Sequence, residues 1–328
     1  MHPKLFEIPF IHLTVWTYGP MLVIGFLSAV FIIRRLSRDI TPDPQLITNA
    51  ALYSLIAGVV GSRLFYVVHH FDLFREDLPS VFAVWKGGLE LLGGVLLAIT
   101  IITLYLRYHK LPIHRYLDIL AIGLMLALAF GRIGCFLRGC CFGRPTNLPW
   151  AVCFPYGSDP YYSQVYPNLQ RNRAEPQLKL SPDFFEYTEK NGLWYSALKP
   201  YENLTEEQKY MVDKGPYRCL PVHPTQLYES AIALVYCFML YLFWLRSDNA
   251  DKSKNTNKLL IKPGSTFALM FISYGIARFL IELLRDDNPF EIDSLTISQI
   301  ICIAGIGVGV VLMAIFNRAK PEPAKPAS

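Results

Sequence analysis

The sequence predicts an all-α polytopic membrane protein, with seven transmembrane helices and an extracytoplasmic head inserted between helices four and five. Three observations carry this expectation. Of the 328 residues, 52% are hydrophobic and only 17% charged, against roughly 25% charged in soluble domains. Apolar runs of about twenty residues, enough to cross a bilayer core, recur along the chain. Lys and Arg gather in a few short loops between those runs, which is how a cytoplasmic membrane face is marked. The formal charge of +5 is therefore read as a topological signal, and nucleic acid is not expected as a partner. Collagen-like, coiled-coil and disordered classes are excluded by composition.

The first run, Leu13 to Ile33, is followed at once by Arg34, Arg35 and Arg38. Only Lys4 precedes it and its apolar core is too long for a signal peptide, so it is read as a retained spanning helix. Further runs lie at Leu46 to Val68, Leu89 to Leu106, Ile113 to Phe130, Gln226 to Leu245, Ser265 to Leu284 and Leu295 to Phe316. With the first helix entering from outside, the inner loops hold Arg34, Arg35, Arg38, Arg107, Lys110, Arg246, Lys252, Lys254, Lys258, Lys262, Arg318, Lys320 and Lys325. The short outer segments hold Lys4, Arg75, Lys86 and Arg285. The positive-inside rule then places the N-terminus outside and the C-terminus in the cytoplasm.

The expected organisation is a membrane domain of helices one to four over 1–143 and a head or lid over 144–221. A membrane domain of helices five to seven follows over 222–316, and a disordered tail over 317–328. The head is rich in Tyr, Pro and Asn, with Trp150 and Trp194 as candidate anchors of a small core.

Ionisable residues inside apolar runs are the informative ones. Arg63, Arg132, Arg278 with Glu282, and Arg285 one turn later all fall toward the outer half of the bilayer on this topology. An arginine at a helix centre costs ~2.5–3.5 kcal/mol on insertion scales, so four of them argue for a shared purpose. Arg278, Glu282 and Arg285 stand at i, i+4 and i+7, one helical face, where Glu282 can orient one guanidinium while another points to a ligand. A guanidinium fork matches phosphate oxygens, so the cluster suggests a phospholipid phosphate. The competing reading is that these arginines pair with carboxylates or carbonyls purely to pack helices.

Gly87-Gly88, Gly93-Gly94, Gly131, Gly134, Gly139 and Gly143 allow close backbone approach or a re-entrant loop, or equally ordinary small-residue helix packing. His223-Pro224-Thr225-Gln226-Leu227-Tyr228-Glu229 stands where the head returns to helix five. His223, Gln226 and Tyr228 could hydrogen-bond a headgroup and Glu229 could hold an arginine; a capped helix start with an interfacial tyrosine is the alternative. Of the seven cysteines, Cys135, Cys140, Cys141, Cys153 and Cys219 flank the head, where a disulfide from the Cys140-Cys141 pair to Cys153 or Cys219 is plausible. Cys237 and Cys302 read as helix packing. No C-x-x-C or His pair at ligand spacing points to a metal, and no nucleotide-binding loop points to a cofactor, so none is expected.

Together these motifs resemble the bacterial prolipoprotein diacylglyceryl transferase family, in order along nearly the whole chain. They are Trp16-Thr17-Tyr18-Gly19, the Gly-x-Arg-x-x-Tyr of Gly61 to Tyr66, and Trp85-Lys86-Gly87-Gly88 through Gly94. Gly131-Arg132-Ile133-Gly134 through Gly143-Arg144, the His223 to Glu229 segment, and Tyr274-Gly275-x-x-Arg278 with Glu282 and Arg285 follow. The resemblance implies a seven-helix enzyme of the bacterial cytoplasmic (inner) membrane. It would move diacylglycerol from phosphatidylglycerol to the lipobox cysteine thiol of a preprolipoprotein and release glycerol phosphate. Its implied partners are phosphatidylglycerol, preprolipoprotein lipobox peptides and membrane lipids.

By motif, Tyr18, Arg132, Gly143 and Arg278 match positions the family uses at its site. Arg132 and Arg278 would neutralise the departing phosphate. Arg63, His223, Gln226, Tyr228, Glu282 and Arg285 are the remaining substrate-binding candidates. The chain departs from the family at Leu92, where a histidine is usual, and at Cys135 and Cys140, where Asn and Glu are usual. A thiol of pKa near 8.5 needs a base or a positive field; Glu90, two residues from Leu92, and His223 are the candidates for the base, and Glu90 could instead partner an arginine. The alternative is a non-catalytic phospholipid- or lipopeptide-binding membrane protein on the same fold. Modification of a lipobox peptide discriminates the two.

Overall fold

The computed structural model describes residues 4–8, 13–41, 43, 45–75, 78–83, 88, 90–190, 193–252, 262–291 and 294–318. Trp85, Lys86, Gly87, Leu89 and most of the expected tail lie outside them. The helices are α1 (Tyr18–Leu36), α2 (Gln45–His69), α3 (Leu91–Tyr108), α4 (Ile113–Arg138), α5 (Asp159–Val165), α6 (Glu206–Asp213), α7 (Thr225–Lys252), α8 (Ser265–Glu282) and α9 (Ile297–Arg318). Two antiparallel hairpins join them, β1 (Lys4–Ile8) with β2 (Leu13–Trp16) and β3 (Phe185–Lys190) with β4 (Leu193–Leu198). The architecture is therefore mostly helical and not all-α.

Among the described residues, six helices are long and apolar enough to span a membrane: α1, α2, α4, α7 over Thr225–Ser247, α8 and α9. The apolar part of α3, Leu92–Tyr108, is shorter. Large side chains such as Phe31, Val68, Ile99, Phe238 and Ile301 stand more than half exposed on these helices. That is the surface a helix turns toward lipid.

Several element ends differ from the hydropathy reading. The first run begins as a strand, because Leu13-Thr14-Val15-Trp16 is β-branched and aromatic and short apolar runs do not separate strand from helix. Pro20 then sits in the first turn of α1, the one place a helix accepts it. α4 continues past Phe130 to Arg138, so Arg132 is an interior helical residue. α7 runs on to Lys252, taking part of the expected inner loop. α8 stops at Glu282, so Arg285 does not share its face with Arg278: Leu283 and Leu284 form a turn.

The chain divides into two compact units. The first comprises Met1–Phe26, Leu124–Met239 and Ala268–Val311. It contains the excursion between α4 and α7, which has its own apolar core of Phe142, Phe154, Tyr161, Val165, Leu178, Leu198, Cys219 and Val222. A satellite of Phe184, Leu204 and Val212 lies under α6, whose start is fixed by a capping box between Thr205 and Gln208. Trp150 is no core anchor: it is exposed, and its indole N–H donates to the Tyr228 hydroxyl at 2.7 Å. The Trp194 side chain lies outside the described residues.

The second unit comprises Leu27–Gly123, Leu240–Phe267 and Leu312–Ser328. α2 and α3 pack through glycine: a Cβ on Gly93 would stand 2.5 Å from the Gly61 carbonyl oxygen. Gly93 and Gly94 therefore serve helix packing rather than a re-entrant loop. At the start of α8, the buried carboxylate of Asp118 accepts from the backbone N–H groups of Gly264 at 2.7 Å and Phe267 at 2.9 Å, satisfying orphan donors of that helix.

Candidate active site: paired arginines beside three thiols

The first unit gathers Tyr18, Arg132, His223, Gln226, Tyr228, Glu229, Arg278, Glu282 and Arg285. At their centre is Glu229, which is 5% exposed. Its Oε1 accepts from Arg278 Nη1 at 2.6 Å and its Oε2 pairs with Arg132 Nε. One carboxylate from α7 thus bridges a guanidinium from α4 and one from α8. Arg278 is further held by Glu282, with Nη2 2.7 Å from Oε2, as the i, i+4 spacing predicts. Arg132 meets Glu229 through Nε, at the root of its fork, and keeps 15% side-chain exposure against 9% for Arg278.

Arg285 reaches the cluster by another route. It forks onto Asp287 through Nε at 2.8 Å and Nη2 at 2.6 Å, and stands 3.8 Å from Glu282. Its backbone forms an isolated antiparallel bridge with Gly143. A Cβ on Gly143 would lie 2.6 Å from His223 Cβ, 2.7 Å from the His223 carbonyl oxygen and 3.0 Å from that of Leu284. Gly143 is therefore the crossing point of three backbone segments.

Gln226 is 1% exposed and donates to the Cys140 carbonyl at 2.6 Å, while Thr225 donates to the Cys141 carbonyl at 2.7 Å. The amide of Gln226 is thus committed to backbone. His223 faces the Tyr228 hydroxyl at 3.4 Å, and burial pushes its imidazole below the ordinary histidine range, which favours the neutral ring. Tyr18, at the start of α1, lies within electrostatic reach of Cys135, Cys140, Cys141 and Arg132.

All seven cysteines are free thiols, so the expected disulfides from Cys140-Cys141 are not formed. Instead the sulfurs of Cys135, Cys140 and Cys141 all lie within 4.8 Å of one another. Cys141 has its thiol pulled below its ordinary range, first by hydrogen bonds from Cys135 and Cys140 and then by the guanidinium groups of Arg285 and Arg132. Spacing rules missed this trio because its members come from a helix end and the turn after it.

The second unit holds Arg63, Glu90 and Leu92. Arg63 is buried and donates to the carbonyls of Val81 at 2.8 Å, Gly88 at 3.0 Å and Ser80 at 2.7 Å, with its cation over the Tyr66 and Phe74 rings. This is the packing role, and it ties down the strand of chain entering α3. Glu90 precedes α3, and its carboxylate pairs with His69 Nδ1 at 2.7 Å, with His70 at 3.9 Å, rather than with an arginine. Leu92 is 62% exposed.

Sequence reasoning includes Tyr274 in the Arg278 motif but gives it no role; it lies within electrostatic reach of Arg132, Glu229 and Arg278, one turn before Arg278 on the same face. Sequence reasoning missed Asn288, Thr296 and Ser298. Asn288 and Thr296 donate to Glu282 at 2.5 and 3.0 Å, and Ser298 lies 3.4 Å from Arg278. His69 gave no signal, because Glu90 lies 21 residues away in the chain.

The geometry is that of a largely buried, charge-compensated guanidinium pair of which Arg132 is the more exposed member. Comparison of the chain with known proteins finds a family model that matches it. The model of the family described as prolipoprotein diacylglyceryl transferase matches residues 3–315. A phosphatidylglycerol–prolipoprotein diacylglyceryl transferase of Clostridium tetani is 26% identical over 315 residues, covering 96% of this chain and 98% of that protein. Its namesake in Rhodospirillum rubrum is 27% identical over 332 residues, covering 97% and 93%, and that of Thermosynechococcus vestitus is 26% identical, covering 95% and 92%. With the match running through the whole arginine frame, from α1 to α9, the chain belongs to the prolipoprotein diacylglyceryl transferase family.

Proposed function

We propose that the protein transfers the diacylglyceryl group of phosphatidylglycerol to the lipobox cysteine of a preprolipoprotein, forming a thioether. The observation that carries this is Glu229 bridging Arg132 and Arg278, because it holds a guanidinium fork ready for phosphate at no cost of reorganisation. Arg132, the more exposed of the two, takes the phosphate. Arg278, saturated by Glu229 and Glu282, braces it, and Tyr18 and Tyr274 complete the wall.

In the reaction the acceptor thiol gives its proton to the neutral imidazole of His223, which faces the Tyr228 hydroxyl. The sulfur attacks the glyceryl carbon that bears the phosphate ester. The C–O bond breaks as the S–C bond forms, and glycerol phosphate departs with its new charge on Arg132. α3 is taken as the seventh span, with the N-terminus and the 144–221 head outside and the C-terminus in the cytoplasm, on the strength of the basic short loops.

The test is transfer from labelled phosphatidylglycerol to a synthetic lipobox peptide by purified protein in detergent. Arg132→Ala should lower the rate 10²-fold or more, the usual loss when a charge-stabilising donor is removed. His223→Gln should lower it about 10²-fold, the usual contribution of a positioned base. A folded preparation that binds the lipid and modifies no peptide would make the protein a binder on this fold, with Leu92 as its mark.

A further inference from the structure

Beyond α4 the chain doubles back sharply. Gly139 adopts φ 88° and Cys141 φ 62°; for Cys141, a residue with a Cβ, the left-handed conformation costs about 1–2 kcal/mol. These two positions return Cys140 and Cys141 onto Cys135, and Gln226 and Thr225 hold the returning carbonyls from α7. The loop's backbone is thus fixed from outside, and its three sulfurs face one another.

We propose that Cys135, Cys140 and Cys141 form a site for one thiophilic d10 cation, Zn2+ or Cu+, bound through three thiolates. At a metal–sulfur distance of about 2.3 Å the sulfurs of a tetrahedral site stand about 3.8 Å apart. The trio, with every pair inside 4.8 Å, closes to that spacing by side-chain rotation. Three thiolates around either ion leave net negative charge, and the guanidinium groups of Arg132 and Arg285 both act on Cys141 as the compensating charge. Soft sulfur donors select these ions over Mg2+ or Ca2+. Cys140 and Cys141 also line a cavity of about 330 Å³ with Asp159, Ser163, Asp286 and Asp287, which gives water or a small ligand access to a fourth position. Binding releases up to three thiol protons to water and forms three metal–sulfur bonds, with no change of oxidation state.

The experiment uses the full chain, reduced and in detergent, loaded separately with Zn2+ and Cu+ and challenged with a chromophoric chelator. One equivalent of one ion should be retained at micromolar affinity or tighter. It should be retained equally in Cys153→Ser and lost in the Cys135→Ser/Cys141→Ser double variant. The ion retained identifies the native class. Co2+ added to the unsubstituted protein should give thiolate charge-transfer absorption in the near ultraviolet with intense tetrahedral bands in the visible, a readout that survives if the serine variant fails to fold. Retention unaffected by the serine substitutions, no retention by the unsubstituted chain, or a weak octahedral cobalt spectrum overturns the site. The inference is independent of the transfer reaction: an ion without transfer upholds the site and overturns the activity, and transfer by an ion-free chain does the reverse.

Discussion

Arg171 donates through Nη2 to the backbone carbonyl of Arg285 at 2.9 Å. Two residues of like charge are thus joined through a backbone dipole, while the Arg285 guanidinium turns to Asp287. Arg171 is buried and its cation lies 4.6 Å from the centre of the Phe290 ring. Arg173 adds an ion pair to Asp286 at 2.8 Å, so the excursion between α4 and α7 grips the segment after α8 at two successive residues.

Arg171→Ala should therefore cost stability by about 2–3 kcal/mol, the value of a buried charged hydrogen bond with its packing. It should also raise KM for the lipid more than it lowers kcat, since Arg285 is displaced and Arg132 is not. Thermal unfolding and steady-state transfer in detergent measure both; an unchanged KM would separate the grip from the site.

Removing Glu229 should be more severe. Glu229→Ala takes the carboxylate from Arg132 and leaves Arg278 with Glu282 alone, and breaking such a pair costs about 3–5 kcal/mol. Glu229→Gln keeps an acceptor and the side-chain shape but not the charge, and should lose less stability while still losing transfer. Equal melting temperatures for the Ala variant and the unsubstituted protein would remove Glu229 from the centre of this account.

Gly143→Ala tests backbone crowding free of any polar change. The added methyl meets His223 and the Leu284 carbonyl, so the bridge to Arg285 must open. Transfer should fall at least tenfold with α-helical circular dichroism unaltered. Full activity in Gly143→Ala would show that the crossing tolerates a shift.

In the apolar core of the excursion between α4 and α7, burial pushes the Cys219 thiol up to about 11, a backbone N–H from Phe154 pulling slightly the other way. In the unfolded chain the same thiol ionises near 8.5. Between these values the folded state holds the extra proton, so its contribution to stability is complete below pH 8 and is lost as pH rises toward 11, about 3 kcal/mol in all. Iodoacetamide should leave Cys219 unlabelled at pH 8 in folded protein and label it readily in denatured protein; native labelling at pH 8 would contradict the burial.

The membrane helices and the arginine frame were legible because lipid punishes charge: Arg132, Arg278 and Glu282 stand out against apolar neighbours. Arg63 stood out for the same reason, yet its partners are carbonyls of Ser80, Val81 and Gly88, and backbone acceptors leave no mark in a sequence. Helix ends were less legible. Nothing in apolarity separates the strand Leu13–Trp16 from the helix that follows, and i+7 spacing put Arg285 on a face that α8 does not reach. The thiol trio and the His69–Glu90 pair depend on where turns return the chain, which local pattern does not encode.

The isolated bridges where the excursion between α4 and α7 begins and ends carry a different consequence. Pro145 and Val152 both pair with Val222, and Gly143 hydrogen-bonds His223. The excursion between α4 and α7 therefore departs and returns through adjacent backbone positions, like a loop closed by a clasp. Its length is uncoupled from the spacing between Arg132 and Glu229, so the segment can lengthen or shorten away from Arg171 and Arg173 while the charged frame keeps its dimensions.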